Sequence, residues 1–279
     1  MDLDFLANFA NTSSEEELSY NKKDIMKILK RIGVDTRFVS YFEDENGIKL
    51  YVENFRFSKF SKKRITTFNN YYSDIEVIRS SLFQKICLRA SKVLANSLNP
   101  KTKVLIPTII DDYTKLLYII LEPYSRKYGI EFIEYDDNID FNEINAIISP
   151  LTLNKQVNNI LTDIFNGNGI IWDKKFKELA NSYNNDEKID YFTNKNINDN
   201  KYNIDNNDKN NKSIIFPLIN VPDEWINDFL SIKTTYKIDY DSNDIATSFM
   251  GFLSEINPQF KENVLATSSF LENNQLNKK

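Results

Sequence analysis

The stretch from Lys103 to Asn166 constrains this chain more than any other. Lys103–Ile110 is an apolar run with no polar alternation, the pattern of a strand covered on both faces. Tyr113–Tyr128 then places Leu116, Leu117, Ile120 and Leu121 on one side of a helix, and Pro123 is expected to end or kink it near its last turn. Gly129 marks a turn, Ile130–Tyr135 a second strand, Asn145–Ser149 a third, and Leu151–Asn166 another helix. Strands separated by helices return in the same direction, because each helix carries the chain back across the sheet. An α/β domain on a parallel sheet follows.

The flanking segments extend that pattern. Glu76–Leu98 carries Ile78, Leu82, Ile86, Leu88 and Val93 and predicts a long amphipathic helix. Ser213–Leu218 resumes the sheet, Asp223–Leu230 is helical, and Ser242–Gly251 and Pro258–Asn273 are expected as closing helices. Between them, residues 194–211 are half asparagine with much Lys and Asp, too polar to offset the entropy of ordering, and are expected as a disordered insertion. Upstream, residues 1–19 form a polar, acidic lead-in. Asn21–Gly33 predicts a short helix, and Arg37–Phe42 with Ile48–Phe57 a hairpin about Glu45-Asn46-Gly47, where Asn-Gly supplies positive φ. The expected organisation is a small α+β module over residues 1–75 and an α/β domain over residues 76–279.

Composition removes several chemistries. The 279 residues contain no histidine, which excludes a Ser-His-Asp triad, His-ligated metal and imidazole acid–base catalysis. One cysteine, Cys87, allows neither a disulfide framework nor a cysteine metal cage; it lies between Ile86 and Leu88 and is expected in the core. With 35 Lys plus Arg against 40 Asp plus Glu the net charge is −5, which leaves room for a local basic patch but not a basic coat. No apolar run approaches the ~18–20 residues of a membrane span. Met1-Asp2-Leu3-Asp4 lacks a signal-peptide charge pattern. A cytoplasmic protein with no membrane partner is the expectation.

Ligands of open parallel sheets sit beyond the carboxyl ends of the strands. The loop there reads Pro107-Thr108-Ile109-Ile110-Asp111-Asp112-Tyr113-Thr114. Framed by Lys103–Ile106, the leucine-rich run Lys115–Leu121 and Lys127-Tyr128-Gly129, it resembles the PP-loop ATP pyrophosphatase superfamily, in particular its tRNA-thiolating and lysidine-forming branches. Their pattern is a buried strand, a Ser-Gly-Gly-Lys-Asp-Ser loop, a leucine-rich helix and a strand introduced by Lys-Tyr-Gly. Three further stretches are similar to the family's later motifs. They are Leu153–Leu161 running to Gly167-Asn168-Gly169, Phe216-Pro217-Leu218 before an acidic helix, and Phe252-Leu253 through Pro258 to Leu265. The resemblance spans residues 76–273 and implies a PP-loop ATPase-like fold.

The reactive positions depart from the pattern. Thr108 takes the first serine position and Asp112 the aspartate, but the glycines become Ile109 and Ile110, the lysine Asp111, and the closing serine Tyr113. In the family the glycines let backbone N–H groups approach pyrophosphate and the lysine neutralises it. A β-branched residue resists positive φ, and a carboxylate in place of an ammonium repels phosphate. The second motif has Pro150-Leu151 for Gly-His and Asn154 for its first Asp, and Phe216 stands where the third has Arg. These losses imply a pseudoenzyme without cofactor. Alternatives are an adenylating tRNA-modifying enzyme with a remodelled loop, in which Asp111 and Asp112 hold Mg²⁺, and a purely structural interaction protein. The plain alternative for the two aspartates is a helix N-terminus, where carboxylates cap free N–H groups.

Residues 54–73 contain Arg56, Lys59, Lys62, Lys63 and Arg64, no acid, and six interleaved aromatics. Cations for phosphates beside rings for bases make a candidate RNA surface. The other reading is an edge strand protected by lysines with its phenylalanines facing the core. Taken with the resemblance, this implies an accessory subunit in tRNA thiolation, its partners tRNA or an active PP-loop paralogue.

Overall fold

The computed structural model describes residues 21–108, 111–134, 139, 143–167, 213–230 and 245–276. The acidic lead-in, the asparagine-rich stretch, Ile109, Ile110 and the Asn168-Gly169 pair lie outside these.

The N-terminal part begins with helix α1 (Lys22–Arg31), capped by Asn21, whose side chain accepts the Lys23 N–H at 2.9 Å. Strands β1 (Val39–Asp44) and β2 (Gly47–Val52) form the expected antiparallel hairpin, from Val39 opposite Val52 to Asp44 opposite Gly47, with Gly47 at φ 101°. Residues 54–73 do not form an edge strand. They turn and enter helix α2 (Lys62–Asn69), because Ser61 caps its first turn and accepts the Arg64 N–H. Their phenylalanines divide: Phe60 and Phe68 are buried and meet edge-on at 5.9 Å, while Phe57 is exposed.

The helix expected from Glu76 starts later. Glu76–Ile78 is a strand, β3, lying parallel to β2 with Leu50 opposite Val77. β-branched Val77 and Ile78 suit the sheet, and Ser80 caps helix α3 (Ser81–Ser97) by accepting the Phe83 N–H at 3.2 Å. The first sheet thus has the order β1-β2-β3.

The second sheet is the one the apolar runs announce. Strands β4 (Lys103–Ile106), β5 (Glu131–Glu134), β6 (Ala146–Ile148) and β7 (Ser213–Ile215) are all parallel, in the order β5-β4-β6-β7. Val104, Leu105 and Ile106 are all buried, so β4 is covered on both faces. Helix α4 (Asp112–Tyr128) connects β4 to β5 and does not stop at Pro123. The proline ring is buried, so packing offsets the hydrogen bond it cannot give to Ile119, and Gly129 at φ 65° ends the helix instead. Helix α5 (Leu153–Phe165) follows β6, and α6 (Asp223–Leu230), α7 (Ile245–Ile256) and α8 (Phe260–Leu276) close the chain. The main core joins Phe83, Ile86 and Leu94 of α3 to Leu116, Leu117 and Ile120 of α4 over Val104, Ile106 and Ile148. Cys87 is buried within it.

An ionic seam ties the first sheet to α4. Arg126 donates to the carbonyls of Thr36 at 2.5 Å and Val39 at 2.7 Å and pairs with Glu122. Glu122 also accepts the Tyr41 N–H at 3.0 Å and pairs with Lys22. Lys127 meets Glu53 at 2.9 Å, and Lys115 meets Asp44 at 2.6 Å. Among the described residues, no helix is long and apolar enough to cross a membrane.

Candidate functional site

From β4 the chain moves to β5 on one side and later to β6 on the other. The carboxyl ends of β4 and β6 therefore flank the switch point, where an open parallel sheet leaves a crevice. Thr108 stands exposed at its edge. Asp111 is the N-cap of α4: its Oδ1 accepts the Thr114 N–H at 2.7 Å, and the Thr114 hydroxyl returns to the Asp111 backbone N–H at 3.1 Å. This is a closed capping box. The dipole end that would face a phosphate already holds a carboxylate. Asp112 is exposed in the first turn and adds a second negative charge. Tyr113 turns the other way and donates to Asn227 Oδ1 at 3.1 Å, with the Lys155 ammonium 4.9 Å from its ring centre. Among the described residues, no group of three carboxylates or thiols is placed to hold a metal.

A polar cluster joins the starts of α5 and α6. Asn154 is used as a clamp: its Oδ1 accepts the Asp223 N–H at 3.3 Å and its amide donates to Glu224 at 3.2 Å. Lys261 of α8 bonds the same Glu224 carboxylate. Burial would raise the Glu224 carboxyl, but its bonds to Lys261, to its own N–H and to Asn154 outweigh that and hold it low. Asp223 differs. It is 2% exposed, and burial pushes its carboxyl up despite a hydrogen bond from Thr152 and the nearby charge of Lys155. Its Oδ1 has no hydrogen-bond partner among the described residues. Residue-by-residue reading did not single out Asp223, Thr152 or Glu224. The available signals were Thr152 in a cap position before α5 and the Asp-Glu pair opening α6.

The basic segment is a separate surface. Arg56, Lys59, Lys62 and Lys63 are exposed, and none of them is ion-paired among the described residues. Arg64 is committed internally: its guanidinium donates to the Lys59 carbonyl at 2.6 Å and lies against Gly33. Arg56 sits 5.9 Å from the ring centre of Phe57, which in turn lies 5.5 Å from Phe38. Tyr71 is the other exposed ring of the segment, while Phe55 lies under the Arg79 guanidinium at 4.3 Å.

No protein-family model matches this chain, and no curated protein does. Among solved structures, the U34-tRNA thiolase NcsA from Methanococcus maripaludis, determined with its 4Fe-4S cluster, is similar to it. The TM-score is 0.43 and the identity 11%, over 72% of this chain and 83% of that one.

Proposed function

We propose that this chain is a non-catalytic protein of PP-loop type that binds RNA, with transfer RNA as the favoured class, in an accessory role to RNA modification. The observation that carries the non-catalytic half is the Asp111 capping box. A nucleotide phosphate at the start of α4 would have to displace a carboxylate already bonded to the Thr114 N–H and approach a second one on Asp112. Support for the RNA half comes from the exposed cations at Arg56, Lys59, Lys62 and Lys63, none of them ion-paired among the described residues, from the absence of any acid between residues 54 and 73 in the sequence, and from the resemblance of residues 76–273 to proteins that act on tRNA. An active PP-loop enzyme is the natural partner.

Two measurements test this. Calorimetry with ATP and Mg²⁺ is expected to give no binding heat; saturable binding would return the protein to the enzymes. Filter binding of tRNA is expected to weaken as salt rises, and further with Lys62→Glu plus Lys63→Glu. Both positions are exposed at the start of α2, where added carboxylates suit the helix dipole, so that variant is expected to fold. Salt-insensitive or absent tRNA binding would remove the RNA role.

A further inference from the structure

A cavity of about 350 Å³ opens where the first sheet meets α3 and α4. It lies toward the carboxyl end of α4, about 20 Å along the helix from the Asp111 cap at 1.5 Å per residue. Three rings line it: Phe38, Tyr124 and Tyr128, the two tyrosines 5.8 Å apart. Leu88, 59% exposed, borders it. The volume falls at the small end of ligand pockets, roughly 300–1,000 Å³, which is room for one flat group.

The polar groups of the lining define what that group is. Asn54 and Gln84 are held with their carbonyl oxygens turned to the backbone. Asn54 Oδ1 accepts the N–H groups of Arg56 and Phe57 at 3.0 and 2.9 Å, and Gln84 Oε1 accepts that of Phe55 at 2.9 Å. Their NH₂ groups have no partner among the described residues, so the lining offers free donors. Both cations of the lining are held in ion pairs, Arg37 with Asp35 at 2.7 Å. Lys127 is paired with Glu53 and lies 5.0 Å from the ring centre of Phe38 and 4.7 Å from that of Tyr124. A neutral, planar, acceptor-bearing group fits such a lining, and a phosphate or an ammonium does not. The cations that have no ion-pair partner among the described residues lie outside it. Phe57 lies beside both Arg56 and the cavity-lining Phe38, so the basic segment runs up to the cavity wall. Lys59 is the next cation along that segment.

We propose that this cavity receives an unpaired keto base, uracil or guanine, of an RNA strand whose phosphates lie along Arg56 and Lys59. The base would stack on the rings while its carbonyl oxygens accept from Asn54 and Gln84. A phenylalanine or leucine side chain of a protein partner would fill the space but leave those donors unanswered. The inference rests on RNA binding by the basic segment and adds to it the place and type of the base.

The test is fluorescence anisotropy on the full chain with end-labelled oligouridine and oligoadenosine of equal length. The wild-type protein is expected to prefer uridine by about tenfold, the scale of two neutral hydrogen bonds. Asn54→Asp with Gln84→Glu keeps every oxygen that the backbone uses and exchanges each NH₂ donor for a carboxylate oxygen, so both oligomers should bind more weakly. It should erase the preference with little change in thermal midpoint. Leu88→Trp, placed at an exposed position, should lower uridine affinity to the adenosine level. Ultraviolet cross-linking of 5-bromouridine is expected at Phe38, Tyr124 or Tyr128. Equal affinity for the two oligomers, a preference that survives the double variant, or cross-links elsewhere would overturn the proposal. If tight binding remains and depends on Lys62 and Lys63 but shows no base preference, this inference alone fails. If neither oligomer nor tRNA binds, RNA binding by the basic segment fails with it.

Discussion

Asp111 illustrates how one side chain decides between two uses of a helix start. A helix start of the kind that cradles an anion in a phosphate-binding loop here has its Thr114 N–H bonded by a carboxylate of the chain itself, with the Thr114 hydroxyl completing the box. Asp111→Ala is therefore expected to lower stability by about 1 kcal/mol in urea titration, and Asp111→Asn by only a few tenths, since asparagine caps nearly as well. If both variants match wild type, the cap does not hold this helix. Cys87 belongs to the same scale. Burial, with a smaller contribution from Glu53, pushes its thiol well above the usual range. It should resist alkylation in the native protein and react only on unfolding.

At the scale of elements, the glycines at helix ends separate backbone strain from crowding. Gly129 ends α4 at φ 65°, and a Cβ there would meet only the Lys101 side chain at 3.8 Å, an ordinary contact. Gly129→Ala should cost about 1 kcal/mol, all of it conformational. Gly33 has φ 80°, and a Cβ there would come within 3.0 Å of the Arg64 guanidinium, which also bonds the Lys59 carbonyl. Gly33→Ala should cost more, and the difference between the two midpoints in one denaturation series checks it. Elements of this kind were legible because their signals are local: Asn21 before α1, Asn46-Gly47 in the hairpin, and the unbroken apolar run of β4. Strand β3 was not legible. It is three residues long, its partner β2 lies a whole helix earlier in the chain, and the apolar spacing beyond it fits the helix that follows. Pro123 misled for a related reason, since burial of its ring outweighs a rule about backbone donors. At the crevice, the substituted loop could be read directly. The pairing of Asp223 with Thr152 could not, because only the folded sheet brings the starts of α5 and α6 together.

For the whole molecule, the seam between α4 and the first sheet sets the response to acid. Burial raises the Glu122 carboxyl, but Arg126 and Lys22 outweigh it and hold the group below its ordinary value of 4.5. Such a group binds fewer protons folded than unfolded. Its contribution is complete above pH 4.5 and is lost as pH falls through the lower folded value. Glu53 works in the opposite sense: burial outweighs Lys127, its carboxyl is raised, and its ionisation weakens the fold across the window above 4.5. Glu122→Gln should flatten the acid limb of the stability curve below pH 4.5, read from urea midpoints across a pH series; an unchanged limb would place acid sensitivity elsewhere. The three-stranded sheet has its own consequence. Residues 76–78 supply its last strand, so a polypeptide stopped at residue 75 would leave Lys49, Leu50 and Tyr51 with a bare row of amides and carbonyls. Such a margin recruits whatever β-segment comes near, another copy included. That fragment is expected to self-associate in sedimentation, while one carried through Ile78 regains its own border.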